Sequence, residues 1–228
     1  MKLKFKNKTF IYFFIVCFMI LSCGDSVYSN NAYSIGRLKY GGGGDWYADP
    51  TSLPNVHTFL QKNFKFETGA PETVEALKKD LIKTPFIFIT GHGNIKLSDS
   101  EISNLRDYLK AGGFLYIDDC YGLDKSARAL LKKIMPESEL TELPFNHKIY
   151  NCYYKFNQGP PKVHEHDNLP AQGFGIFYNN RLVAFYTFSS DIGDGVEDEW
   201  VHPNPPEIRD AAMKMFANIV IYNLLFNY

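Results

Sequence analysis

The feature that most constrains the fold is residues 85–122, where two short apolar runs flank a segment with helical spacing. Residues 86–89 (FIFI) and 114–117 (FLYI) are β-prone and uncharged, which predicts strands buried on both faces of a sheet. Between them, Ser98 and Glu101 form a Ser-x-x-Glu capping box, which predicts the start of a helix. Two buried strands joined by one helix predict a right-handed βαβ unit with parallel strands.

The residues best able to form a site follow these two strands. His92 comes after the first strand, and Asp118, Asp119 and Cys120 come at the end of the second. Because parallel strands end at the same edge of a sheet, we expect these four side chains at one edge, where binding crevices form in such folds. The sequence therefore predicts the place of a site without naming a reaction.

Strands and helices alternate up to residue 136, which predicts a parallel sheet with helices on both faces. Besides the two central strands, this part of the chain predicts strands at 35–40 and 64–67, and helices that begin at Pro54, Pro71 and Asp124.

The pattern changes after residue 140. Residues 149–156 form a mixed run that resembles a strand, and Asn179 and Asn180 separate two apolar runs as a two-residue hairpin turn does. Residues 189–204 are acidic and predict a solvated loop, and Pro206 opens a long helical segment. We therefore expect a single α/β domain over residues 35–228, with a three-layer, mostly parallel doubly wound sheet and a later antiparallel hairpin.

The N-terminus has the pattern of a secretory signal. Four lysines precede an apolar run over residues 10–21, which is shorter than the about 20 residues of an ordinary spanning helix. Residues 20–24 (ILSCG) resemble a bacterial lipobox, with Cys23 as the lipidated first residue after a signal peptide at 1–22 and before a tether at 23–34. The alternative is cleavage after Ser29 and secretion. Both place the mature protein outside the cytoplasm, at the periplasmic or surface face of the cell envelope.

Charge and cysteine content limit the partners. Removal of residues 1–22 takes away four lysines and no acid, which leaves 20 basic and 25 acidic residues. A mildly acidic protein has no electrostatic attraction to nucleic acid. Cys120 and Cys152 remain in the folded part, where an oxidising envelope permits a disulfide between them; two unpaired thiols are the equal alternative.

Several separated motifs resemble one bacterial family, the domain of unknown function 4159. The resemblance spans roughly residues 35–225 and implies a fold similar to class I glutamine amidotransferases and flavodoxin-like domains. It implies no activity, since the family name states none and a fold alone does not define a function. The motifs are residues 37–47 (RLKYGGGGDWY), 90–94 (TGHGN), 112–119 (GGFLYIDD), 159–161 (GPP) and 191–194 (DIGD).

Cys120 is a candidate nucleophile. Residues 120–122 (CYG) resemble the Cys-x-Gly turn of class I amidotransferases, and His92 or His147 is a candidate for the base that a thiolate requires. However, Asp119 stands where those enzymes have a small residue, and an adjacent carboxylate raises the pKa of a thiol. The letters of their His-x-Glu couple occur at residues 164–166 (HEH), too early in the chain. A structural or disulfide-forming cysteine is therefore favoured.

Asp118 and Asp119 are the stronger candidates for a ligand site. Two carboxylates at a strand end are able to bind a divalent cation or a polar ligand such as a sugar or an amine. The alternative is that one of them caps the next loop and the other is solvated. The predicted ligand-binding set is completed by Asp45, Trp46, His92 and Asn94.

Two further sequence patterns give weaker indications of a binding site. Residues 41–44 are glycines, but no Gly-Lys-Ser/Thr motif follows them, and Asp45 and Asp49 would repel phosphate. Metal-ligand residue types also cluster late in the chain, but their spacing matches no known metal loop, so a solvated acidic loop is expected there. These residues are His164, His166, Asp191, Asp194, Glu197, Asp198 and His202.

The preferred hypothesis is a non-catalytic binding module held at the membrane by a lipid, with a small polar ligand or an envelope protein as its partner. No cofactor is expected apart from a divalent cation, for which Asp118 and Asp119 are the candidate ligands. The alternative is a hydrolase or amidase that uses Cys120 or the aspartates.

Overall fold

The computed structural model describes residues 33–64 and 67–227 of the chain. The predicted signal peptide, Cys23 and nearly all of the tether lie outside these residues. Contacts group these described residues into one compact unit. No helix in the described part is both long and apolar enough to span a membrane.

Seven strands and six helices form within the described residues. The strands are β1 (Ile35–Leu38), β2 (Glu72–Val74), β3 (Phe86–Ile89), β4 (Phe114–Asp118), β5 (Thr141–Glu142), β6 (Gln172–Tyr178) and β7 (Arg181–Phe188). The helices are α1 (Ser52–Phe64), α2 (Asp99–Lys110), α3 (Asp124–Ile134), α4 (Lys148–Asn151), α5 (Ile192–Gly195) and α6 (Pro206–Phe226), with a 3-10 turn at Lys79–Lys83.

The strands form one sheet in the order β2-β1-β3-β4-β7-β6-β5. Neighbouring strands from β2 to β7 in this order are parallel, and β6 and β5 are added in antiparallel orientation. The β6–β7 turn consists of Asn179 and Asn180, with φ angles of 50° and 62°, as a type I′ hairpin turn requires. The predicted α/β class, with a mostly parallel sheet and a later antiparallel hairpin, is confirmed.

Apolar residues cover both faces of the sheet, so the protein has three layers. Phe86 and Phe88 belong to the core beneath α1 and α6, whereas Ile87 and Ile89 belong to the core beneath α2 and α3. All four side chains are fully buried, as the uninterrupted apolar run predicts. The predicted capping box also forms at Ser98, where α2 starts.

Two predicted elements before β3 are wrong. α1 continues to Phe64, whose ring packs against Phe59, so the predicted strand at 64–67 does not begin there. The second strand along the chain is instead β2, in which Val74 lies opposite Leu38 of β1. Because residues 72–74 form this strand, the helix predicted to begin at Pro71 does not form. Leu77 is 55% exposed, so the helical spacing of its apolar neighbours does not mark a buried face.

The predicted strand at 149–156 is also wrong, because α4 and a turn occupy this segment. His147 caps α4 by accepting a hydrogen bond from the Ile149 N–H at 3.2 Å. The amide of Asn218 on α6 then donates to the carbonyl oxygens of Tyr150 and Tyr154, at 3.1 and 2.8 Å. These two carbonyl groups are therefore satisfied by a helix side chain rather than by a neighbouring strand.

Candidate functional site

The loops that follow β1, β3, β4 and β7 meet at the carboxyl edge of the parallel strands. The loops after β3 and β4 were expected there, and the loop after β1 carries Asp45 of the predicted ligand-binding set. The loop after β7 joins them because β7 pairs directly with β4, with Thr187 opposite Asp118. This pairing brings the acidic segment after β7 over the strand ends. Four carboxyl groups from three chain segments are thereby buried together, and we call them the acid cluster: Asp49, Asp118, Asp191 and Asp194.

Asp118 is fully buried, and both of its carboxylate oxygens accept hydrogen bonds. One oxygen accepts from the Thr187 hydroxyl at 2.5 Å and the Tyr116 hydroxyl at 3.2 Å, and the other accepts from the Gly193 N–H at 2.6 Å. Burial raises the pKa of Asp118 to about 6, although the hydrogen bonds from Gly193 and Thr187 oppose the increase. With its oxygens taken by donors, Asp118 is held as part of the fold.

Asp119 points to the other face of the sheet. Its carboxylate accepts from the Leu123 N–H at 2.8 Å and lies 3.4 Å from the Tyr186 hydroxyl. Asp119 therefore caps the loop before α3, while Asp118 is buried on the opposite side rather than solvated. The two adjacent aspartates do not form one pair of cation ligands.

Asp49 lies at the centre of the acid cluster. Its carboxylate accepts a short hydrogen bond from the Thr90 hydroxyl and is 3.4 Å from the Cys120 sulfur. Burial raises the pKa of Asp49 well above its ordinary value, and the charge of Asp194 raises it further. For Asp194, burial acts in the same direction, but hydrogen bonds from His164 and Asp49 outweigh it and lower the pKa. The pKa values of these two neighbouring carboxyl groups are therefore displaced in opposite directions, upward for Asp49 and downward for Asp194.

Gly193 lets the main chain approach these acids. A methyl group at this position would overlap the Asp49 carboxylate and stand 3.2 Å from the nearer carboxylate oxygen of Asp118. Asp49 and Asp191 both have a φ of 56°, in the left-handed region that side-chain-bearing residues seldom adopt. Tight loops and unusual backbone angles thus surround the acid cluster.

The Cys120 thiol is buried beneath the acid cluster. Its sulfur is 3.0 Å from the Thr90 hydroxyl. Burial raises the pKa of Cys120 well above its ordinary value, and the charges of Asp49 and Asp194 raise it further. A thiol in such surroundings stays protonated and is a poor nucleophile.

Neither predicted base serves this thiol. His92 is partnered by Asp45. His147 packs against Phe177, beside the hairpin turn at the amino edge of the parallel strands. Cys152 is a second free thiol, with its sulfur 3.3 Å from the Asn218 carbonyl oxygen, so the structure contains no Cys120–Cys152 disulfide.

Asp45, His92 and Asn94 form a separate, more exposed group at the same edge. The Asp45 carboxylate accepts from the His92 N–H and lies 3.0 Å from the His92 Nδ1, and the Asn94 carbonyl accepts from the Gly44 N–H at 3.2 Å. Burial would raise the pKa of Asp45, but the hydrogen bonds from His92 outweigh it and lower the pKa. Trp46 is half-buried against the core, with the Lys39 ammonium 5.9 Å from its ring.

Three histidines line the outer side of the acid cluster, and we call them the histidine rim: His164, His166 and His202. His166 Nε2 is 2.7 Å from Asp191 Oδ2, and His164 Nδ1 is 3.6 Å from the same oxygen. Asp194 meets His164 Nδ1 at 3.2 Å and His202 Nε2 at 3.7 Å. The expectation of a solvated acidic loop is therefore wrong for Asp191 and Asp194.

Glu197, in the same loop, is also buried, but its carboxylate is bound by groups at the start of α1 rather than by the histidine rim. Its carboxylate accepts from the N–H groups of Thr51 and Ser52 at 2.8 and 2.6 Å, and from the Thr51 hydroxyl at 2.8 Å. It therefore caps the start of α1 from a distant part of the chain.

None of the curated proteins compared with this chain matches it. One protein-family model, described as Domain of unknown function (DUF4159), matches residues 34–224, a span that includes the whole acid cluster and the histidine rim. The motifs that resemble this family are therefore part of one continuous match. The chain belongs to the DUF4159 family.

Proposed function

We propose that this protein is an exported, lipid-anchored binding protein of the cell envelope that holds a small cationic ligand at the carboxyl edge of its sheet. The observation that carries the proposal is the acid cluster. Burying carboxylates is unfavourable unless protons, hydrogen-bond donors or cations compensate them. A cation that enters this edge gains attraction from several carboxylates at once, in surroundings where water screens their charge weakly.

The location rests on the sequence pattern at the N-terminus. A basic start, a short apolar run and the lipobox-like residues before Cys23 occur in order. Mass spectrometry of the mature N-terminus from cells is expected to find a lipid-modified Cys23. An unmodified peptide beginning at Asn30 would show ordinary secretion instead.

A cysteine-dependent hydrolase is disfavoured by the surroundings of Cys120. The thiol is 2% exposed, and the neighbouring acids oppose thiolate formation. We also propose that the fold is related to class I glutamine amidotransferase-like and flavodoxin-like domains. It is supported by the motif resemblance and by a parallel strand that ends in a Cys-x-Gly turn before a helix.

A carboxylate-dependent hydrolase is the second candidate, because carboxylate oxygens of Asp49 and Asp194 lie within 4.8 Å of each other and the two groups have pKa values displaced in opposite directions. An acid and a base held side by side in this way are typical of acid–base catalysis. Hydrolysis of chromogenic amide, ester or glycoside substrates that disappears in Asp49→Asn would establish this candidate. Absence of turnover across the three substrate classes would leave binding as the function.

A thermal-shift screen of the full chain tests cation binding. ZnCl₂, MgCl₂ and spermidine provide cations, and glucose provides a neutral polar probe. At least one cation is expected to raise Tm, since a ligand that binds only the folded state stabilises it by mass action. The increase should be lost in Asp194→Asn and kept in Asp107→Asn, which changes an exposed aspartate on α2. Stabilisation by glucose alone, or by none of the probes, would refute the proposal.

A further inference from the structure

We propose that the bound cation is a divalent transition metal, which takes His164, His202 and Asp194 as ligands and Asp191 as an adjacent carboxylate donor. This inference rests on the proposed function and gives its ligand a chemical class. The donor atoms of His164, Asp194 and His202 lie within 4.8 Å of one another, and so do those of His164, His166 and Asp191. His164 belongs to both groups, so a single ion beside its Nδ1 faces both aspartates.

The distances between donor atoms suit one ion. Two ligand atoms about 2.1 Å from a tetrahedral Zn²⁺ stand about 3.4 Å apart. His164 Nδ1 is 3.2 Å from Asp194 Oδ2 and 3.6 Å from Asp191 Oδ2, and His202 Nε2 is 3.7 Å from Asp194 Oδ1. Small side-chain adjustments are therefore enough to place one ion among these groups.

Asp191 supplies a second, independent indication of a ligand. The residue is fully buried, and its Oδ1 has no hydrogen-bond partner among the described residues. Its other oxygen faces His164 and His166. A buried carboxylate oxygen without a partner carries a desolvation cost, which a metal ion next to this carboxylate would offset.

Neighbouring groups hold the proposed ligands in position. Asn204 Oδ1 lies 2.9 Å from His164 Nε2 and can accept a hydrogen bond from the Nε2–H of the neutral ring, which leaves the Nδ1 lone pair for a metal. His166 is 2.7 Å from Asp191 Oδ2 and stacks on the Tyr121 ring, with ring centres 4.3 Å apart. His166 therefore orients Asp191 rather than acting as a required ligand.

The donor types select the class of metal. Imidazole nitrogens combined with carboxylates favour Zn²⁺ and related transition metals, whereas Ca²⁺ and Mg²⁺ prefer oxygen ligands alone. The all-oxygen alternative is weak here, because Asp118 already accepts three hydrogen bonds, and the Asp49 carboxylate accepts one from the Thr90 hydroxyl and lies 3.4 Å from the Cys120 sulfur.

The experiment measures Zn²⁺ binding to the full chain, which is treated with EDTA and then dialysed. Competition with a chromogenic chelator gives affinity and stoichiometry, and the visible spectrum with Co²⁺ reports the geometry of the ligands. We expect one high-affinity Zn²⁺ per chain and a Co²⁺ spectrum of tetrahedral type. His202→Gln removes a ligand that is only partly buried, and we expect it to lower the affinity by at least about tenfold.

The matched control is His57→Gln, which removes a histidine on α1 whose Nδ1 contacts the Thr68 hydroxyl instead. It should bind Zn²⁺ like the unmodified chain. The inference is overturned if His202→Gln keeps full affinity, or if the unmodified chain binds no Zn²⁺. It is also overturned if Co²⁺ gives only the weak spectrum of a six-coordinate, water-bound ion, a readout that does not depend on how the variant folds.

The same probes separate this inference from the proposed function. If spermidine or Mg²⁺ stabilises the chain and Zn²⁺ does not bind, the acidic edge still holds a cation but the transition-metal site is wrong. If no cation binds, both fail.

Discussion

Asp118→Asn is expected to stabilise the metal-free protein at neutral pH. Asp118 is fully buried, and raising its pKa from 3.8 to about 6 corresponds to about 3 kcal/mol of free energy. An asparagine has nearly the same shape and can keep the hydrogen bonds. Its oxygen can accept from the Gly193 N–H, and its amide can donate to the hydroxyls of Thr187 and Tyr116, which are able to rotate. The variant therefore avoids the cost of burying a charge without leaving a polar group unsatisfied.

The sign of the pH dependence follows from the direction of the shift. A carboxyl group whose pKa is raised by folding favours the folded state fully below its unfolded pKa, and this contribution is lost as the pH rises through the folded pKa. For Asp118 that window runs from 3.8 to about 6. The advantage of Asp118→Asn over the unmodified chain should therefore be near zero at the acidic end. It should reach its maximum, about 3 kcal/mol, above the upper end of the window.

Urea denaturation followed by circular dichroism, with EDTA present and at a series of pH values from 4 to 8, measures this difference. Subtracting the curve of the unmodified chain removes the titration of groups that the two proteins share. Asp107→Asn, an exposed change, should give a difference near zero at every pH. A variant that is less stable than the unmodified chain at pH 7.5, or a difference that does not change with pH, would refute the reasoning.

Three further changes test the site and its supports. Gly193→Ala should lower the free energy of unfolding by about 1–3 kcal/mol, since a methyl group overlaps a buried carboxylate; an unchanged urea midpoint would contradict this. In the native protein, iodoacetamide should modify Cys152 faster than Cys120, because Cys120 is 2% exposed and Cys152 is half-buried. Peptide mass spectrometry measures the two rates, and faster modification of Cys120 would show that its thiol is reactive. Glu197→Ala should cost about 2 kcal/mol by leaving the N–H groups of Thr51 and Ser52, at the start of α1, without their acceptor. Equal Tm values for variant and unmodified chain would exclude the capping role.

The central βαβ unit could be predicted because local pattern and tertiary burial agree there. Residues 86–89 and 114–117 are apolar throughout, and both faces of the sheet are in fact covered. The different directions of Asp118 and Asp119 could also have been predicted, since adjacent residues of a strand point to opposite faces. Treating them as one pair of ligands neglected that rule.

The acid cluster could not be predicted in the same way, because it depends on strand order. The hairpin turn identifies β7 as a strand, but nothing local indicates that β7 pairs with β4, about 70 residues earlier in the chain. Without that pairing, Asp191 and Asp194 look like ordinary acids of a surface loop. The left-handed backbone conformation at Asp49 and Asp191 could not be predicted from the sequence either, because neither residue is a glycine.

The four carboxyl groups of the acid cluster are compensated by different means, and this decides where a cation can bind. Asp49 has a raised pKa and accepts a hydrogen bond from the Thr90 hydroxyl, and Asp118 is surrounded by three hydrogen-bond donors. Asp194 has a lowered pKa and lies against the histidine rim, while Asp191 keeps one oxygen without a partner among the described residues. A cation at Asp49 would have to replace a buried hydrogen bond from the Thr90 hydroxyl, whereas a cation at the rim meets the unpartnered oxygen of Asp191 and the Asp194 carboxylate beside His164. Binding is therefore expected at the outer side of the acid cluster, where Asp191 and Asp194 face the histidines, rather than at its centre.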